Sequence, residues 1–162
     1  FVSLRQPAVQ KESLQSIFQK VQQLLQEAIN QHNIRVEMNF PPDGADVLAS
    51  RIEIEQVVFN LFKNSIDSLT SSRTESPLIR VHVHPLNDRF FEIHVQDNGP
   101  GVDGAIVDDI FKPYVTNKQT GLGMGLSISQ TIIEGHGGRL TLVGPAEPGS
   151  CFRFTLSRFL NE

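Results

Sequence analysis

The side chains in this sequence best suited to chemistry are amides and carboxylates repeated along one helix-forming segment, residues 53–67. At about 100° per residue, the polar side chains of this segment fall within roughly 40° of one line. They are Glu53, Gln56, Asn60, Asn64 and Asp67. Apolar residues fill most of the remaining circumference, so we predict a largely buried helix whose polar stripe needs hydrogen-bonding partners. Bonds to the main chain would satisfy any single asparagine, but a whole stripe in register indicates the wall of a polar cavity.

Asn60 and Asn64 are candidate metal ligands within this stripe. They lie one helical turn apart and present two neutral oxygens side by side, which Mg²⁺ accepts beside substrate phosphates and water. The formal net charge of −4 gives no general attraction for nucleic acid or for an acidic membrane surface. An anionic ligand would therefore need a metal ion or local hydrogen-bond donors to bind.

Asp97 ends a predicted strand over residues 90–97 and shares the core-facing side of that strand with its apolar residues. A carboxylate that points inward needs donors. One interpretation is a cap on the turn that follows, Asn-Gly-Pro-Gly. The other is recognition of adenine, whose N6 amine donates to a carboxylate, whereas the O6 acceptor of guanine would be repelled. Gly99 and Gly101 would then let the backbone approach the flat base.

Residues 111–126 have the composition of a lid over a ligand, with aromatic anchors, Phe111 and Tyr114, at one end and glycines at the other. The glycines precede a helix N-terminus, where free N–H groups favour a phosphate; they are Gly121, Gly123 and Gly125. Lys118 could meet a terminal phosphate as a point charge, or it could be a solvated loop lysine. The spacing matches neither a dinucleotide-binding fingerprint nor a Walker loop.

Hydrophobic periodicity assigns these residues to a small set of helices and strands. Apolar residues recur at helical spacing over residues 12–31 and 125–134, and the first pattern is too short for a stable coiled coil. Alternation and flanking turn residues predict the strands, which span residues 34–40, 47–50, 78–84, 90–97, 139–143 and 151–157. We therefore predict an α+β fold, a two-layer α/β sandwich with a mixed sheet packed on about three helices.

The composition of the chain predicts one globular domain, since 39% of its 162 residues are hydrophobic and 20% are charged. Its single cysteine, Cys151, cannot form an internal disulfide, which fits a reducing compartment. No apolar run approaches the roughly 18 residues of a membrane span, and no signal-peptide pattern opens the chain. We therefore expect a cytoplasmic domain without direct membrane contact, preceded by the tail of another element in residues 1–11.

Four motifs, in this order, resemble those of the ATP-binding catalytic domain of bacterial sensor histidine kinases. Residues 55–65 match the Asn box of that family, 97–101 its first Gly box, 111–114 its Phe box and 121–125 its second Gly box. The sequence His-Gly-Gly at residues 136–138 matches the usual ending of the last helix. The resemblance implies the Bergerat fold, which gyrase, mismatch-repair and heat-shock chaperone ATPases share.

The resemblance also implies Mg·ATP as ligand, with residues 111–124 as the ATP lid. The nucleotide-binding residues that it implies are Asn60, Asn64, Asp97, Gly99, Gly101, Phe111, Tyr114, Thr116, Lys118, Gly121, Gly123, Gly125 and Leu126. Of these, Asn60, Asn64 and Lys118 are the expected catalytic residues, and the two asparagines are the expected metal ligands. Asp67 stands where many sensor kinases carry Lys or Arg, a feature similar to the subgroup with oxygen-, nitrogen- and dicarboxylate-responsive kinases. It leaves position 67 without an expected phosphate contact.

The expected activity is transfer of the γ-phosphoryl group of ATP, which requires mainly positioning and charge neutralisation. None of the five histidines lies in the His-Glu phosphoacceptor context of the family. We therefore expect residues 12–162 to bind ATP and residues 1–11 to be the tail of a missing helical domain that carries the acceptor histidine and dimerises. The chain alone is then monomeric and its parent a homodimer, whether or not the parent is anchored in a membrane. A response regulator is the expected downstream partner.

Two other classes of function remain open. The first is an ATPase of the same fold, but the resembling ATPases carry a glutamate at position 60, and Asn60 cannot act as a general base for water. The second is a non-catalytic nucleotide-gated binding module, or a protein-serine kinase on this scaffold, and the difference lies in the partner.

The histidines of the chain have simple structural interpretations. His136 is expected at a helix end, and His82, His84 and His94 are expected on the outward faces of neighbouring strands. The last three raise the alternative of a surface metal site, against ordinary solvent-facing side chains.

Overall fold

The computed structural model describes residues 8–104, 107–113, 125–144 and 149–161. Its elements, in chain order, are β1 (Val9–Ser13), α1 (Leu14–Leu24), α2 (Gln26–Gln31), β2 (Arg35–Asn39), β3 (Asp46–Ser50), α3 (Arg51–Ser71), β4 (Leu78–Pro85), β5 (Phe90–Asp97), α4 (Gly125–Gly135), β6 (Leu140–Val143) and β7 (Ser150–Ser157). A short 3₁₀ turn spans Val107–Asp109. No helix in these described ranges is both long and apolar enough to cross a membrane.

The strands form one five-stranded mixed sheet and one small two-stranded sheet. The order in the large sheet is β2-β4-β5-β7-β6, in which β2 and β4 are parallel and the other neighbours are antiparallel. The last strand in sequence, β7, therefore lies between β5 and β6. The small sheet pairs β1 with β3 in antiparallel register.

The helices cover one face of the large sheet, which we call the inner face. Alternate residues of β4, β5 and β7 point to this face and join the buried side chains of α1, α3 and α4 in one hydrophobic core. The other face, which we call the outer face, carries mainly polar residues of the same strands. This confirms the predicted two-layer α+β sandwich and the predicted mixed sheet.

The helix that carries the polar stripe, α3, extends the predicted segment at both ends. Ser50 caps its N-terminus, because its Oγ accepts a hydrogen bond from the backbone N–H of Glu53 at 3.4 Å. The backbone N–H of Ser50 donates to Nε2 of His136 at 3.0 Å, and Nδ1 of His136 lies 2.8 Å from the carbonyl oxygen of Ile132. His136 therefore joins the end of α4 to the start of α3, the helix-end role expected for it.

The N-terminal region differs from the prediction of one helix over residues 12–31. Residues 9–13 form β1, and the helix begins at Leu14 and is interrupted at Leu25, where α2 follows. β1 forms because β3 offers an antiparallel partner along its length, a tertiary contact that overrides the local pattern. Residues 9–11, predicted as part of a tail, thus pair within the small sheet.

Candidate functional site

Asn60 joins the middle of α3 to the first turn of α4. Its Nδ2 donates to the carbonyl oxygen of Gly125 at 3.3 Å and to Oγ of Ser129 at 3.2 Å. Both bonds use the amide nitrogen, so neither uses Oδ1, the atom that a metal ion would take. The side chain of Asn60 is thereby oriented by two contacts from a second helix, and neither contact occupies its oxygen.

Ser129 is a site residue that the sequence analysis missed. It is fully buried in α4, four residues after Gly125, and its hydroxyl accepts the second bond from Asn60. The sequence does contain a signal for it, a small hydroxyl residue on an otherwise apolar helix face. Such a residue needs a polar partner on the neighbouring element once it is buried.

The remainder of the polar stripe lies at the open side of α3. Asn64 is half-buried one turn beyond Asn60, whereas Gln56 is exposed. Asp67 forms an ion pair with Lys63 at 3.6 Å, and both side chains are more than one third exposed. Asp67 therefore has a cationic neighbour on its own helix, and the polar wall is carried by Asn60 and Asn64.

Asp97 is buried on the inner face at the end of β5, as strand alternation predicted. Its Oδ1 accepts a bond from the backbone N–H of Gly99 at 2.9 Å, and its Oδ2 accepts one from Oγ of Ser150 at 2.8 Å. The turn-capping interpretation is thus correct. These two bonds do not use the full acceptor capacity of the carboxylate, because each oxygen can accept two hydrogen bonds. An amine of a ligand could therefore donate a further bond to Asp97.

Two glycines are required by close packing around Asp97. A Cβ at Gly99 would lie 2.9 Å from Oγ of Ser68 and 3.0 Å from Oδ1 of Asp97. Gly149 has a φ of +100°, and a Cβ there would overlap the backbone carbonyl of Asp97. Gly149 and Ser150 were missed by sequence reasoning, and only the register of β5 against β7, which pairs Asp97 with Ser150, brings them to the carboxylate.

The two polar centres lie along one side of α3. Asn60 contacts α4, and Ser68, eight residues later, contacts the loop that holds Asp97, so the two centres are separated by about 12 Å of helix. A ligand that bridges them must be elongated. A nucleoside triphosphate, with a base at one end and phosphates at the other, has this shape.

Part of the predicted lid is described by the structure. Phe111 is half-buried and packs edge-on against Phe152, with ring centroids 6.3 Å apart and an interplanar angle of 83°. Leu126, in the first turn of α4, packs against the core, and Gly101 has a φ of +85° in the loop after Asp97. The other lid residues that the sequence singled out lie outside the described residues: Tyr114, Thr116, Lys118, Gly121 and Gly123.

Comparisons with known proteins found a matching family and similar sensor proteins. Residues 49–159 match the family described as histidine kinase-, DNA gyrase B- and HSP90-like ATPase. The sensor protein TdiS of Thauera aromatica is 37% identical over 96% of the chain, and the sensor protein FixL of Bradyrhizobium diazoefficiens is 34% identical over 96% of it. The chain spans only 29% and 30% of the lengths of these two relatives.

A solved structure gives the same result for the fold. The catalytic domain of the histidine kinase ThkA, in a nucleotide-free form, superposes with a TM-score of 0.81 at 28% identity, covering 93% of this chain and 96% of that domain. ThkA has also been solved in complex with the response regulator protein TrrA, and that kinase chain superposes with a TM-score of 0.77 at 26% identity, covering 93% of this chain and 42% of the ThkA chain.

Proposed function

Because the chain belongs to the family of histidine kinase-, DNA gyrase B- and HSP90-like ATPases, as a catalytic domain of the sensor histidine kinase type, we propose that it holds Mg·ATP between α3 and α4. It then transfers the γ-phosphoryl group to a histidine on a separate helical domain. The observation that carries this proposal is the contact of Asn60 with α4, which fixes a neutral amide beside the first turn of that helix.

The identity of residue 60 separates this function from ATP hydrolysis. An amide cannot take a proton from water, so Asn60 cannot activate a hydrolytic nucleophile, whereas a glutamate could. An acceptor that brings its own nucleophile needs only to be positioned against the γ-phosphate. The amide at this position therefore favours transfer to another molecule over hydrolysis.

Asn60 and Asn64 fit a Mg²⁺ ion that arrives with the nucleotide. Their side chains offer neutral oxygens, and Mg²⁺ bound by few protein ligands keeps waters and takes substrate phosphates as its anionic ligands. When bound, the ion neutralises charge on the phosphates. The protein orients the amides through α4, and the N-terminus of that helix at Gly125 supplies backbone N–H groups for a phosphate.

Asp97 accounts for selection of adenine at the other end of the site. Its two oxygens are held by Gly99 and Ser150, and both can accept a further bond from the N6 amine. The O6 acceptor of guanine would face the carboxylate without a proton between them. Phe111 anchors the start of the lid, and Tyr114, Thr116, Lys118, Gly121 and Gly123 are proposed to close over the phosphates.

The phosphoacceptor is proposed to come from outside residues 8–161. His136 is engaged by Ser50 and Ile132, and His82, His84 and His94 point away from α3 on the outer face. A helical dimerisation domain of the same parent protein would supply the histidine, and a response regulator would receive the phosphoryl group. The ThkA complex with TrrA supports a regulator as partner. We expect the domain to act in the cytoplasm, in a homodimeric parent.

Nucleotide titrations test the binding half of the proposal. Calorimetric titration of the chain with ATP, ADP and GTP, each with and without Mg²⁺, should show adenine preference and tighter ATP binding in the presence of the ion. Equal affinity for GTP would contradict the assignment of Asp97.

A transfer assay tests the catalytic half. The chain is mixed with a helical hairpin that carries the phosphoacceptor histidine of a sensor kinase and with ATP labelled at the γ-phosphate. We expect label on the hairpin that is lost in acid, because a phosphoramidate is acid-labile. A matched hairpin with alanine in place of the histidine should stay unlabelled. Acid-stable label would indicate a hydroxyl acceptor, and rapid release of labelled phosphate without transfer would indicate an ATPase.

A further inference from the structure

The outer face of the large sheet carries a cluster of side chains that the proposed function does not use. His84 on β4 is paired by register with Glu92 on β5, and His94 lies two residues beyond Glu92 on the same strand. Because residues i and i+2 of a strand point to the same side, all three side chains meet on this face. One ligand atom from each lies within 4.8 Å of those of the other two.

The distances within the cluster suit a shared metal ion. Oε1 of Glu92 lies 3.3 Å from Nε2 of His84 and 2.7 Å from Nε2 of His94. Ligand atoms of a tetrahedral site with bonds of about 2.0–2.1 Å are separated by roughly 3.3 Å. The first distance equals that separation, and the second becomes compatible when the hydrogen bond between Glu92 and His94 lengthens by about half an ångström.

We propose that His84, Glu92 and His94 form a binding site for a divalent transition metal of borderline softness, with Zn²⁺ as the best fit. Two imidazoles and one carboxylate are a ligand set that Zn²⁺ takes in proteins, with a fourth position for water. The site lies on the sheet face opposite the nucleotide site and joins β4 to β5. It is independent of the proposed transfer of a phosphoryl group.

The electrostatics keep the carboxylate ready to bind a cation. Burial raises the pKa of Glu92, but the hydrogen bond from His94 and the charges of His94, Arg153 and His84 outweigh burial, so the pKa is lowered. Glu92 is therefore more readily ionised than a free glutamate, and the carboxylate is the form that binds a metal ion. Arg153, opposite His94 in the register, stays beside the site as a competing positive charge.

Cys151 supports the orientation of His94 without acting as a ligand. Its Sγ lies 3.7 Å from Nδ1 of His94, the ring nitrogen that does not face Glu92. Cys151 is not one of the three residues whose ligand atoms lie within 4.8 Å of one another. A partner on the second ring nitrogen fixes the imidazole, as in many metal sites.

His84 is held less firmly than His94. Its Nδ1 is the one buried side-chain nitrogen or oxygen, within the part of the chain that the structure describes, without a hydrogen-bond partner. The imidazole is therefore not fixed by a second hydrogen bond and can turn to bring a nitrogen onto the metal.

Metal titration without nucleotide tests the proposal, since ATP itself binds divalent ions. The 162-residue chain is titrated with Zn²⁺ against a chromophoric chelator, and with Co²⁺ to read the coordination geometry from its visible absorption. We expect one equivalent to bind, with tetrahedral cobalt bands and no sulfur-to-cobalt charge-transfer band. His84→Ala and His94→Ala should each weaken binding by on the order of 100-fold. Removal of a ligand should cost at least as much affinity as removal of a group that only orients a ligand.

His82→Ala is the matched control, because the ring of His82 lies 5.1 Å from that of His84 on the same face but is not one of the three ligands. It should leave the affinity unchanged, and Zn²⁺ should raise the midpoint of thermal unfolding of this variant but not of the other two. ATP binding shows that each variant is folded. Equal loss in His82→Ala, or undiminished binding in both ligand variants, would overturn the proposal and leave the phosphoryl-transfer function untouched.

Discussion

Strand β5 carries two carboxylates that face opposite sides of the same sheet, and their surroundings differ. Asp97 on the inner face is held by two neutral donors, a backbone N–H and a serine hydroxyl. Glu92 on the outer face is surrounded by imidazoles and a guanidinium. The same chemical group is thus prepared to accept a hydrogen bond from a neutral amine on one side and to pair with a cation on the other.

The neighbours of each carboxylate, more than the carboxylate itself, set which kind of group can bind beside it. A neutral donor set leaves the charge of Asp97 uncompensated inside the protein, so a further N–H donor from a ligand is favourable there. The basic neighbours of Glu92 already compensate its charge. A metal ion at the proposed site would replace the hydrogen bond between Glu92 and His94.

The largest expected effect concerns the packing behind Asp97. Gly149→Ala would place a Cβ against the backbone carbonyl of Asp97 at a φ of +100°, so we expect a loss of about 2 to 5 kcal/mol in the free energy of unfolding. Gly144→Ala in the same hairpin is the control, because among the described residues no atom lies within 4 Å of its added Cβ. Urea unfolding followed by circular dichroism measures both, and equal stability of the two variants would contradict the close approach.

The next effect concerns the inner carboxylate itself. Asp97→Asn removes the charge that accepts from the adenine amine, so ATP affinity should fall by on the order of 10- to 100-fold, the equivalent of one charged hydrogen bond. The preference for ATP over GTP should also fall. Ser150→Ala removes only one neutral donor to Asp97 and should cost less than about tenfold. Calorimetry with both nucleotides decides, and an unchanged preference would remove Asp97 from base recognition.

An effect of similar size is expected at Asn60. Asn60→Glu introduces a general base and should raise ATP hydrolysis, by up to about 100-fold. Asn60→Gln is the matched control, since it has the same length and no base. Release of phosphate under saturating Mg·ATP is the measurement. Rapid hydrolysis by the unmodified chain would count against the kinase assignment, as would a glutamine variant as active as the glutamate one.

The smallest effect lies on the outer face and depends on pH. Because the pKa of Glu92 is lower in the folded than in the unfolded protein, its charge stabilises the fold above the unfolded value of about 4.3. This contribution is lost as the pH falls through the folded pKa. Glu92→Gln should thus reduce stability by less than about 1 kcal/mol near pH 6, and the difference should shrink as the pH falls through the folded pKa. The titratable and charged groups that face Glu92 are His84, His94 and Arg153.

Local sequence patterns predicted the positions of Asp97, Asn60 and Asn64 within their strand and helix. A period of two residues placed Asp97 on the core side of β5, and a period near 3.6 placed Asn60 and Asn64 on one side of α3. These periods follow from backbone geometry alone. For the same reason, the two-layer sandwich and nearly all of its strands could be predicted, with bounds that differ by one or two residues.

The other residues of the candidate site depend on contacts between distant segments, which no local pattern contains. Ser129 and Ser150 become site residues only because α4 packs on α3 and β7 pairs with β5. β1 was missed because its sequence, Val-Gln-Lys-Glu-Ser, has little apolar alternation and owes its strand conformation to β3. Tertiary pairing overrode local propensity there.

The place of β7 in the sheet has a consequence for synthesis of the chain on the ribosome. Asp97 emerges more than fifty residues before Ser150, its partner at the bonding distance of 2.8 Å. Until β7 leaves the exit tunnel, the nascent domain carries an unpaired edge on β5 and a carboxylate that lacks one of its donors. Asp97 therefore gains its serine donor only after β7 has been synthesised and fills the gap between β5 and β6.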